Sequence, residues 1–335
     1  MSKLFYRNTW QIVSELSPEL QKKYWSETQL RGYDFKENDL SELIDNLISV
    51  NRPRYALHMV EHRFKQVGSE QLVTLLEKIA ITEEASPYQV SSYVIEEIFK
   101  TLAGRDDITE ERLSGLEFLY IRVLEHSEYG IPNLEKSLSK TPQLFVQALA
   151  LAFKRKDHQD DSEKWLGGGE SNENIASSAY ALLSSVKLVP GTISGGVIDE
   201  KQLKNWVNEV RELCKINDRV AIGDQQIGQL FAKAPIGDDN IWPPKPIRNI
   251  LENIKSTDIA TGLSMGVYNS RGVVCRGYGG DQERQLMMKY RNWAQLLEYD
   301  YPYVAGILSK MADSYETEAI GWDNKEKLKK HSDNY

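Results

Sequence analysis

Cysteine chemistry and membrane insertion are the first possibilities that the sequence removes. Cys214 and Cys275 are the two cysteines in 335 residues. They lie far apart and form no C-x-x-C spacing, so neither a disulfide framework nor a thiolate metal site is expected. Apolar runs are short: Leu144–Phe153 is interrupted by Gln147 and falls well below the roughly 20 residues that cross a bilayer. It reads as a buried helix. An excess of basic residues is also missing, since 41 Lys and Arg face 49 Asp and Glu for a formal net charge of -8. A generic nucleic-acid ligand is therefore disfavoured, because phosphate recognition rests on clustered positive charge. There is no G-x-x-x-x-G-K-[ST] phosphate loop and no G-x-S-x-G nucleophile elbow, so an NTPase role of the usual kind would reside in another polypeptide. Met1–Trp10 holds Lys3 and Arg7 without an apolar core behind them. A cytoplasmic setting is expected rather than secretion.

What is present is helical periodicity. A hydrophobic content of 41% is enough to build cores, and Leu40, Leu43, Ile44, Leu47 and Ile48 fall along one helical stripe. Pro53 suits the first turn of a second helix running to about Phe64. Leu72, Leu75, Leu76, Ile79 and Ala80 repeat the spacing, and Ser86 with Gln89 predicts a capping box for a helix ending near Gly104. Further helices are expected around Leu113–Val123 and after Thr141-Pro142. The polar segment 158–174, with Gly167-Gly168-Gly169, is expected to connect a helical-repeat part, 1–157, to a C-terminal part, 175–335. In the latter, Asp199 and Gln202 cap a helix carrying Leu203, Trp206, Val207, Val210 and Leu213, Pro235–Pro246 is a loop, and Pro302 opens a long last helix. Alternation of Met265 and Val267 before Asn269-Ser270-Arg271-Gly272 predicts a β-hairpin near 263–276. The expected fold is mainly α: irregular, α-solenoid-like helical hairpins followed by a helical domain with one small hairpin.

The blocks Leu116–Tyr120, Pro142–Val146, Gln226–Leu230, Tyr268–Val273 and Gly279–Arg284, followed by Trp293-Ala294 and Ser314–Glu316, resemble the C-terminal helical-repeat region of large bacterial proteins of the conflict or signalling type. The resemblance implies a recognition or scaffold part, in a bacterial defence setting, whose partner is a separate effector or NTPase chain.

Two motifs carry chemistry. His58-Met59-Val60-Glu61-His62 matches H-x-x-E-H, in which two histidines one helical turn apart would hold zinc and the glutamate would activate water. The competing reading is a solvated helix face with no bound metal. The segment 271–284 joins Arg271, Arg276, Gly279, Gly280, Gln282 and Arg284 at a helix start, an arrangement that suits a nucleotide or other anion. Its competing reading is a structural turn, with Arg284 holding the chain against the final helices and Arg271 exposed at a hairpin tip. The leading expectation is a non-enzymatic protein-interaction module with no cofactor; the anion site and the zinc hydrolase are the alternatives.

Overall fold

A computed structural model describes residues 5–30, 36, 39–84, 87–156, 172–272 and 279–332. These residues form seventeen α-helices and, among them, no named β-strand; one isolated antiparallel bridge joins Thr192 and Ile198. None of the described helices is long and apolar enough to cross a membrane. The chain divides into two compact units, Met1–Leu134 and Glu135–Tyr335.

The first unit contains α1 (Phe5–Ser14), α2 (Pro18–Glu27), α3 (Leu40–Ser49), α4 (Pro53–Val60), α5 (Ser69–Ile81), α6 (Ser92–Ala103), α7 (Glu110–Leu119) and α8 (Ile121–Leu124), and ends in the first turn of α9 (Pro132–Lys140). Its helices pack mostly on neighbours one or two elements along. The expected stripe on α3 is buried at Leu40, Leu43, Ile44 and Leu47. α4 is shorter than expected: it stops at Val60, and the chain turns before a 3-10 turn at Phe64–Gln66. The predicted capping box does not open α6, which begins at Ser92 after non-helical residues 87–91.

The second unit holds the rest of α9, α10 (Pro142–Ala152), α11 (Asn172–Ser185), α12 (Glu200–Ile216), α13 (Val220–Phe231), α14 (Lys245–Ile254), α15 (Thr257–Ser270), α16 (Asp281–Leu297) and α17 (Pro302–Ser332). α10 packs on α11 and α12: Phe145 meets Trp206 edge-on at 4.9 Å, and the Trp206 indole donates to the Leu138 carbonyl at 3.0 Å. The segment 158–174 lies outside the described residues up to 171, and 172–174 already belong to α11. α16 and α17 form a long hairpin, and α13 lies along α15.

The expected β-hairpin is not formed over its first arm, because Leu263–Ser270 continue α15; residues 273–276 lie outside the described residues. Ser256 caps this helix, its hydroxyl accepting from the Ile259 N–H at 3.3 Å. Ile259, Leu263 and Val267 form its buried stripe. Glycines let the two helices touch: a Cβ on Gly228 would overlap the Ile259 carbonyl oxygen, and one on Gly262 would overlap that of Gln225. Such a contact admits no side chain.

Candidate functional site

The glycine-rich turn resolves into a clamp made within the chain. Arg271 is half-buried rather than at an exposed tip, its side chain 17% accessible. It donates to Glu283 at 3.1 Å, lies 3.6 Å from Glu318, and sits over the Tyr315 ring at 5.1 Å. Glu283 is 1% exposed. Arg284 donates to Asp323 and to Asp281, each at 2.7 Å, and Asp323 also accepts from the Gly280 N–H at 2.9 Å. The Asp323 and Asp281 carboxylates stabilise the Arg284 cation and raise its pKa. Gly279 adopts a left-handed φ of 64°, and a Cβ at Gly280 would strike the Ala319 backbone. Gln282 lies on the first turn of α16; Arg276 lies outside the described residues. The two described arginines thus face four carboxylates, a field that repels rather than attracts an anion.

The histidine pair is also separated from the geometry its motif requires. His62 lies past the end of α4, so the two rings do not share one helical face. His58 stacks on Tyr88 with centroids 4.3 Å apart, and its Nδ1 lies 3.4 Å from Glu61. His62 lies 3.6 Å from the same carboxylate and is 91% exposed. Among the described residues no group of three His, Cys, Asp or Glu side chains could hold a metal ion.

A different arrangement appears along the seam between α12 with its approach loop and α14 with its own. α12 starts where Asp199 accepts from the Gln202 N–H at 2.7 Å, and it buries Leu203, Trp206, Val207, Val210 and Cys214. α14 has Pro246 in its first turn and buries Ile247, Arg248, Ile250 and Leu251. A cleft of about 290 Å³ opens between residues 195–198 and 235–246. A second, of about 100 Å³, opens between α12 at Glu200–Asn208 and α14 at Asn249–Ile254. Both segments advance in the same direction along the chain, so the two clefts follow one seam.

The walls of the larger cleft are fixed by backbone hydrogen bonds. On one side Ile193 donates to Val197 at 2.8 Å and Asp199 to Gly191 at 2.9 Å. On the other, Gly237 donates to Ile241 at 3.0 Å, the Trp242 indole to Ala234 at 3.1 Å, and the Trp293 indole to Asn240 at 3.0 Å. Val197 lines it and is exposed, and Ile193 and Ile236, next to lining segments in the chain, are exposed as well. Asp239 is held by the buried Arg248 guanidinium and by the Ile241 N–H at 3.1 Å. Partial burial opposes its charge, but these hydrogen bonds outweigh the penalty and hold the carboxyl below its usual range.

The smaller cleft is lined by Val207, Ile250 and Ile254 together with Asn208, Asn249 and Asn253. Asn249 accepts from the Tyr301 hydroxyl at 3.0 Å. The sequence reading located the capped helix and the proline-rich loop but not their juxtaposition, which joins residues some forty positions apart and leaves no local signal. Comparisons with protein-family models, curated proteins and solved structures find no match for this chain.

Proposed function

We propose that this chain is a non-enzymatic interaction module: irregular, solenoid-like helical hairpins form a scaffold in the first unit, and the second unit recognises a protein partner along the α12–α14 seam. The observation that carries this reading is the alignment of two clefts on one seam, with aliphatic side chains exposed beside rigid, hydrogen-bonded walls. Preformed concave surfaces with an apolar lining and a few convergent polar groups are the usual form of a recognition site. The resemblance to the C-terminal regions of large bacterial proteins adds a partner class, a separate effector or NTPase chain of a defence or signalling system.

The test measures binding of the full chain to the products of its neighbouring genes, using wild type and a Val197→Asp, Ile236→Asp double variant. Both positions are about half exposed, so the substitutions should leave the melting temperature nearly unchanged. Loss of binding by the variant supports the reading. A partner held equally by both proteins overturns it.

A further inference from the structure

We draw no further inference here: the strongest candidate, the pair of clefts along the α12–α14 seam, belongs to the surface already proposed as the partner site, and nothing in the structure shows what covers it.

Discussion

Glu117 offers a direct measure of what holds the first unit together. Its carboxylate is 0% exposed. It accepts from the Leu134 N–H at 2.7 Å, the Asn133 side-chain amide at 2.7 Å and the Tyr129 hydroxyl at 2.9 Å, with the Asn133 N–H at 3.4 Å. Two of these donors belong to the backbone of the first turn of α9, whose leading residue, Pro132, has no N–H to offer. Glu117→Ala leaves the Leu134 N–H without a partner in a buried position, which costs about 1–3 kcal/mol, and removes a negative charge at a helix N-terminus worth roughly 0.3–1 kcal/mol. Asn133 and Tyr129 retain each other at 3.2 Å. Relief of the buried charge offsets part of the loss, so we expect a net cost of about 1–3 kcal/mol. Glu117→Gln keeps an acceptor of similar shape and should cost about half of this.

The pH dependence gives a second, independent readout. Burial is the largest influence on Glu117 and raises its pKa above the usual 4.5 despite the hydrogen bonds that favour the carboxylate. The folded state therefore holds the proton more tightly than the unfolded chain. Its stabilising effect is complete below about pH 4.5 and is lost as pH rises through the raised folded value. Glu117→Gln does not titrate there, so the advantage of wild type over this variant should shrink as pH climbs from 4.5 towards neutrality. Urea unfolding of the full chain at several pH values measures both quantities. A Glu117→Ala variant within about 0.5 kcal/mol of wild type, or a wild-type advantage that grows with pH, would refute the reasoning.

The arginine clamp predicts that Arg271→Ala is the more damaging substitution at the turn, because it strands the buried Glu283 at a cost of roughly 3–5 kcal/mol, whereas Arg284→Ala, 36% exposed, changes the melting temperature little; the opposite order would place the clamp wrongly. Gly262→Ala should destabilise by about 1–3 kcal/mol through overpacking of α15 against α13, and a melt equal to wild type would show that the two helices can separate freely. Asp239→Asn should remove a contribution to stability that is present above about the usual pKa of 3.8 and is lost as pH falls through the lower folded value; acid titration of both proteins should show the wild type losing its advantage below that point.

Helices whose start and stripe are both local were legible in the sequence. Asp199 and Gln202 capped α12 as expected, Pro302 opened α17, and Gly104 ended α6. The main error, a strand for Leu263–Ser270, has a physical cause. Met265 and Val267 stand two apart, as alternating strand residues would, while the helical stripe through Ile259, Leu263 and Val267 is completed by Gly262 and Gly266, which carry no apolar side chain to reveal it. Their selection there reflects contact with α13, which no local window contains. Arg271 failed for a related reason: its partners Glu283, Tyr315 and Glu318 lie on two helices that the sequence placed correctly but could not orient. The seam was invisible in the same sense, since its two walls come from segments some forty residues apart.

One device recurs where the local rules fall short. α4, α9 and α17 each begin with proline at the first helical position, Pro53, Pro132 and Pro302, and are preceded by Arg52, Ile131 and Tyr301, none of which carries a side-chain oxygen suited to accepting from the first turn as Ser, Thr, Asp and Asn do. In each case a glutamate from elsewhere supplies the missing acceptor. Glu84 receives the Arg54 N–H at 2.6 Å. Glu117 receives that of Leu134. Glu252 receives those of Tyr303 at 2.9 Å and Val304 at 3.4 Å. Proline supplies the starting φ and removes one orphan donor, while the remote carboxylate satisfies the next ones and complements the helix dipole. These helix starts are therefore completed only when a distant segment docks. Helix formation and tertiary packing become one event within each unit, which is why the prolines are readable as helix starts and the glutamates that finish them are not.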